Sequence, residues 1–248
     1  MGSEMCIRDR SSACHQVAEA VECAFAWCKD TKLSLNIDKC EVSFFSTDTH
    51  EASAVPEVVV QGRKLPFNAN PQFLGVTYDR SLTFRPHVER ICSKIIQRCR
   101  LIGMLGTKEW GWHPQQLRTI HLAMVRSLIS YAAAGWAPWI SATSLQQLIQ
   151  AENRSLRIVS GLLNTSPLES IVIEADVQDL KTYLEYIIGR SWLIVHCLPP
   201  SHPRSLALSG NVVQRTRRVG WRTKGHEICT KHHIGAVQDR LSPTGSPP

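Results

Sequence analysis

The stretch Phe73–Ile102, FLGVTYDRSLTFRPHVERICSKIIQRCRLI, changes its hydrophobic period in the middle. Up to Phe84 it holds a short apolar run, Phe73-Leu74-Gly75-Val76, placed after Pro71. Gly75 in that run marks a close approach of backbone. From Arg85 the period is helical: Val88, Ile91, Ile95, Cys99 and Ile102 form one stripe, and Arg90, Lys94, Gln97 and Arg98 lie away from it. The switch divides the chain into a strand-bearing part and a helical part, which predicts an α+β fold.

Downstream of that point the helical pattern continues. A second helix is expected near Pro114, a residue suited to a first turn, with a stripe through Leu117, Ile120, Met124, Leu128 and Tyr131, stopping before Gly135 and Pro138. A third is expected from about Ser144, through Leu145, Leu148, Ile149, Leu156 and Val159, to a glycine cap at Gly161. Short connections between three amphipathic helices imply a small bundle. One or two further helices fill Pro167 to Cys197. Beyond Pro199 there are five prolines and few periodic apolar residues, so the expectation is a disordered basic tail.

Upstream, Val17, Val21, Ala24 and Cys28 recur at helical spacing between Ala13 and Lys29. The alternation of Leu33, Leu35 and Ile37, continued by Val42, Phe44 and Phe45, predicts a strand or a strand–turn–strand. Val58-Val59-Val60 and Lys64-Leu65 flank Gln61-Gly62-Arg63 as a β-hairpin. Residues 1–12 have no periodicity and are expected to be a non-native leader. The expected organisation is leader 1–12, a small strand and hairpin unit 13–84, a helical bundle 85–165, further helices 166–198 and a disordered basic tail 199–248.

Composition narrows the partners. The formal net charge is +7, concentrated in two blocks: 85–160 holds ten Lys/Arg against three Asp/Glu, and 201–248 holds eight against two. Such blocks suit a polyanionic partner. Nine cysteines, an odd number with no C-x-x-C pair, are expected as free thiols in an intracellular, reduced, nuclear or cytoplasmic protein. No apolar run is long enough to span a bilayer; that from Tyr186 to Leu198 is broken by Arg190.

Several motifs do not develop into sites. His226, Cys229, His232 and His233 lack the second ligand pair of a zinc finger. Gly106 to Gly111 lacks the Lys and Ser/Thr of a P-loop, with Trp112 and His113 in their place. Trp110, Trp112, Trp136 and Trp139 suit packing between helices better than stacking on bases. Arg215, Arg217, Arg218, Arg222 and Lys224 form a basic cluster that reads equally as a solvated tail or a nucleic-acid contact.

An ordered set of landmarks is more specific. Trp27-Cys28 precedes Leu33-Ser34-Leu35-Asn36, Lys39-Cys40 and Phe44-Phe45. A hairpin then leads to Phe73-Leu74-Gly75-Val76, Tyr78-Asp79, Leu82-Thr83-Phe84 and His87-Val88. Tyr131, Gly135-Trp136, Gln150, Asn153, Leu156-Arg157 and Gly161 follow. This succession, from about Val17 to Asp176, resembles the end of the reverse transcriptase domain of non-LTR retrotransposons. The resemblance implies a distal palm over 13–84, with Lys39 at the basic position of its fourth motif, an auxiliary to catalysis beside the nucleotide triphosphate. It implies a primer grip at Phe73, Leu74 and Gly75, and a thumb from Arg85 whose Arg90, Lys94 and Arg98 meet a template–primer duplex of RNA and DNA.

Two Mg²⁺ ions held by adjacent aspartates are expected only for a full-length family enzyme, because no two aspartates are adjacent here. The chain alone is therefore expected to be inactive as a polymerase, to need no cofactor, and to have the missing N-terminal part of a polymerase as a partner. The rival expectation is a non-catalytic helical module, derived from a retroelement, that binds nucleic acid or protein.

Overall fold

The computed structural model describes residues 2–46, 55–106, 111–199, 201–205, 220–232 and 234, with side chains from Ser11 onward. They fall into two compact units, Met1–Pro86 and His87–Pro248.

The first unit opens on helix α1, Gly2–Asp30, so helical backbone extends through most of the expected leader. Its inward face is Cys14, Ala18, Val21 and Phe25, packed on Val58, Val60 and Leu65. The face is rotated from the expected one, since Val17 is 49% exposed. The hairpin β1 (Val59–Val60) and β2 (Arg63–Lys64) turns through Gln61 and Gly62, both at positive φ (50° and 73°). That pair matches the twist of the flanking strands. Gln61 N–H donates to the Glu22 carboxylate at 2.9 Å, tying the hairpin to α1.

The alternating run after Leu33 is not a strand. Asn36 accepts the Asp38 N–H at 3.0 Å and caps a 3-10 turn, Ile37–Lys39, while Leu33 and Leu35 stay exposed. An Asn side chain that bonds its own backbone two residues on competes with ladder pairing. Pairing begins only at Val42, in an isolated parallel bridge to Phe67. A second hairpin, β3 (Gln72–Phe73) and β4 (Val76–Thr77), follows. Tyr78 then sits between Phe45 and Phe84, at ring-centroid distances of 6.0 and 5.4 Å. Asp79 accepts the Phe84 N–H at 2.6 Å and the Thr83 hydroxyl at 2.8 Å, fixing the entry to the next helix.

The second unit is a helical bundle. Helix α2, Arg85–Leu105, starts at the boundary and buries Val88, Ile91, Ile95, Cys99 and Ile102, the stripe expected from the sequence. Helix α3, Pro114–His121, is capped by His113 and passes through one π-helical segment, Leu122–Arg126, into α4, Ser127–Ser130. Buried along this run are Leu117, His121, Val125, Arg126 and Ile129; of the expected series only Leu117 is buried, while Ile120, Met124 and Leu128 are half-buried and Tyr131 is exposed.

Short α5, Ala133–Trp136, buries Trp136 completely, and its indole N–H donates to Tyr131 O at 3.0 Å. Helix α6, Ala142–Ser160, begins on a Ser141 cap and ends at Gly161 with φ 67°. Helices α7, Leu168–Glu174, and α8, Leu180–His196, complete the run. Helix α3 packs on α6, α7 packs on α6, and α5 packs on α8.

The expected disordered tail contains a helix, α9, Trp221–Lys231, packed on α8. Trp221 meets Trp192 edge-on at 5.1 Å, Ile228 is buried, and Gly225 lies under the Trp192 ring. These few apolar residues were too sparse to read as a periodic pattern, and the aromatic contact supplies what periodicity lacked. Arg215, Arg217 and Arg218 lie outside the described residues. The architecture is thus two small β-hairpins with a helix, followed by a predominantly helical bundle. Among the described residues no helix is long and apolar enough to cross a membrane.

Candidate nucleic-acid interface

In the first unit the sequence-selected residues occupy turns. Lys39 ends the 3-10 turn and is exposed. Shortly after it, the Val42 bridge and a 2.9 Å bond from Ser43 Oγ to Asn68 O join this segment to the chain leading into β3. Phe73, Leu74 and Gly75 come together at the tip of the second hairpin. Leu74 and Gly75 both have positive φ (46° and 81°), and Phe73 and Leu74 are 66% and 74% exposed. Neither side chain belongs to the described core of this unit. The two-residue turn presents them to solvent, and Val76 alone of the run points inward, 6% exposed. Gly75 meets the demand of the turn for left-handed backbone.

In the second unit Arg90, Lys94 and Arg98 follow one another by four residues along α2, one side of a helix. Lys94 is exposed, while Arg90 and Arg98 are half-buried. Arg98 is committed within the protein: its guanidinium donates to Met124 O in the π-helical segment. There a widened turn disturbs the helical ladder, and side-chain donors take up carbonyls; Ser127 Oγ does the same for Ala123 O. Near the start of α2, burial holds the His87 imidazole down to about 4, and the positive Arg90 and Lys94 push it in the same direction. His87 is therefore neutral at pH 7, with its ring 5.4 Å from that of Trp136.

The acidic residues of 85–160 do little to offset this charge at the surface. Glu152 is 1% exposed and contacts Arg126 Nε, with its carboxylate 3.5 Å from His121 Nε2. Glu109 lies outside the described residues, leaving Glu89 as the exposed described acid of that span. Arg85, Lys94, Arg100 and Arg154 are exposed.

Sequence reasoning missed the buried polar cluster altogether. His121 Nδ1 is 2.9 Å from Ser155 Oγ, and Arg126 donates to Gln178 O and lies 4.7 Å from the centre of the Tyr183 ring. The four polar residues from Glu152 to Ser155 interrupt the apolar pattern of α6, and that interruption is the signal that marks them. Gln150, Asn153 and Arg157 entered the reading only as landmarks, and the structure places them on one face of α6 beside α7.

No family model matches the chain, and no solved structure does. Over 155 residues it is 25% identical to a probable RNA-directed DNA polymerase from transposon BS of Drosophila melanogaster, covering 60% of this chain and 17% of that protein. The chain has a distant, partial similarity to retrotransposon proteins of reverse-transcriptase type. Over 87 residues it is also 26% identical to a putative 115 kDa protein in the type-1 retrotransposable element R1DM of the same organism, covering 33% of this chain and 8% of that protein. The chain thus spans less than a fifth of the length of either relative.

Proposed function

We propose that the chain is a non-catalytic helical nucleic-acid-binding module of retrotransposon origin, which holds an RNA–DNA template–primer duplex against the basic side of its helical unit. The observation that carries this reading is the uneven fate of charge in 85–160. Its one deeply buried acid, Glu152, is spent on an internal pair, while Arg85, Lys94, Arg100 and Arg154 face solvent. Side chains so placed supply sequence-independent contacts to phosphate oxygens. On the same reading, Phe73, Leu74 and Gly75 belong to the primer side of a larger polymerase, and Lys39 belongs near its nucleotide phosphates. Both assignments require the remainder of such a polymerase as a partner.

Metal-dependent nucleotidyl transfer is not assigned to this chain. The sequence has no two adjacent aspartates to hold a pair of metal ions. Primer extension with Mg²⁺ and dNTPs is expected to yield no product.

The binding reading is tested by fluorescence anisotropy with a labelled hybrid duplex over a salt series. The logarithm of affinity is expected to fall with that of salt, by roughly 0.9 for each phosphate neutralised in B-form DNA and by a comparable amount in a hybrid. Replacing Arg90, Lys94 and Arg100 together by Gln is expected to weaken binding and flatten the slope. Binding that ignores both salt and the triple variant would overturn the proposal and favour a protein partner.

A further inference from the structure

Between α6 and α7 a cavity of about 310 Å³ is lined by Gln146, Gln150, Asn153, Arg154, Arg157 and Leu168. Five of the six come from one side of α6, at successive turns, and Leu168 opens α7. None is acidic. One buried polar group in this wall is left unsatisfied by the fold. Arg157 Nε is buried and donates to no described residue. Asn153, 5% exposed, lines the same wall. Buried polar groups are nearly always paired, so an unpaired donor in a cavity points to a ligand that completes it.

The chemistry of the lining selects the ligand. Two guanidiniums with no carboxylate favour an anion, and guanidinium matches phosphate geometrically. Three amides add paired donors and acceptors, the pattern that reads the edge of an exposed base. Leu168 contributes an apolar wall. The volume is at the small end of the ~300–1,000 Å³ range of small-ligand clefts, enough for one nucleotide and too little for a duplex. We propose that this cavity receives a single unpaired nucleotide of an RNA or DNA strand, with its phosphate on Arg154 and Arg157 and its base edge on Asn153 and Gln150. This deepens the binding function proposed above and rests on it.

The test uses the whole chain with two fluorescent probes, a short adenine-rich single strand and a blunt RNA–DNA hybrid. Asn153→Leu removes the amide at nearly constant volume, so its melting temperature is expected to stay close to that of the unaltered protein. Asn153→Leu and Arg157→Gln are each expected to weaken single-strand binding about tenfold, the scale of one lost hydrogen bond to a charged or buried partner, and to change duplex binding less than twofold. Gln150→Ala, at an exposed position, gives the same comparison without risk to folding. Adenosine monophosphate is expected to compete with the single strand, and inorganic phosphate at equal concentration is not.

Unchanged single-strand affinity in all three variants overturns the assignment, as does equal loss for both probes or equal competition by phosphate. If duplex binding persists while single-strand binding ignores the variants, this inference fails and the duplex reading stands. If neither probe binds, both fail.

Discussion

Glu152 is an acid buried inside the helical unit. Its carboxylate is shared between Arg126 and His121 inside the bundle, and Arg126 in turn reaches Gln178 O and the Tyr183 ring. Removing one partner of a buried pair strands the other charge, at a cost of about 3–5 kcal/mol. Glu152→Ala is therefore expected to lower stability to urea by that amount, whereas an apolar replacement of Glu152, Arg126 and His121 together is expected to restore much of it. Equal losses for the single and triple variants would show that packing, not charge, sets the cost.

His87 gives a separate test by pH. Its imidazole is held at about 4 in the folded protein against an ordinary 6.5, so the unfolded chain takes up its proton first as pH falls. The stability it contributes is complete above about pH 6.5 and is lost progressively as pH falls through 4. Urea midpoints measured from pH 7.5 to 4 are expected to decline, and His87→Gln is expected to flatten that part of the profile. Neither His87 nor Glu152 was identifiable from sequence as buried, because charge type predicts exposure and only packed neighbours reverse it.

At the scale of elements, the turn of the second hairpin carries unusual backbone. Leu74 holds a left-handed φ of 46° although it is neither Gly nor Asn, and its side chain is 74% exposed. Leu74→Asn creates the Asn-Gly pair that such turns favour and is expected to raise stability by about 1 kcal/mol in chemical denaturation. A fall instead would mean that the exposed leucine contacts something in the folded chain. Gly225 is the opposite case. An added Cβ would lie 2.7 Å from Trp192 ring atoms, so Gly225→Ala is expected to destabilise by about 1–3 kcal/mol despite alanine's roughly 1 kcal/mol helical advantage. A thermal melt followed by tryptophan fluorescence decides the sign.

The α2 stripe was legible because five apolar residues repeat without interruption, and the first hairpin turn was legible at Gln61-Gly62; the second hairpin was read only as an apolar run with a close backbone approach at Gly75. The strand expected after Leu33 was not formed, because alternation specifies an available face and not a partner strand to cover it. The α3 stripe was misplaced for a related reason. The expected stripe left out His121 and Arg126, which are buried, and a π-helical segment runs from Leu122 to Arg126.

Across the whole chain, charge and hydrophobic period operate independently. A +7 net charge and the basic excess of 85–160 are properties of composition, and they suffice to argue for an anionic partner before any fold is known. The helical class of the second unit was likewise present in the spacing of apolar residues, since a period of 3.6 follows from backbone geometry alone, and the first hairpin was present in its turn residues. Packing decided the rest. It turned Arg98 and Arg126 into internal ties, took Glu152 off the surface, exposed Phe73 and Leu74, and brought Asn153 and an unpaired Arg157 Nε to one cavity. Those outcomes depend on which neighbours arrive from distant parts of the chain, and a linear sequence records the residue but not the neighbour that satisfies it.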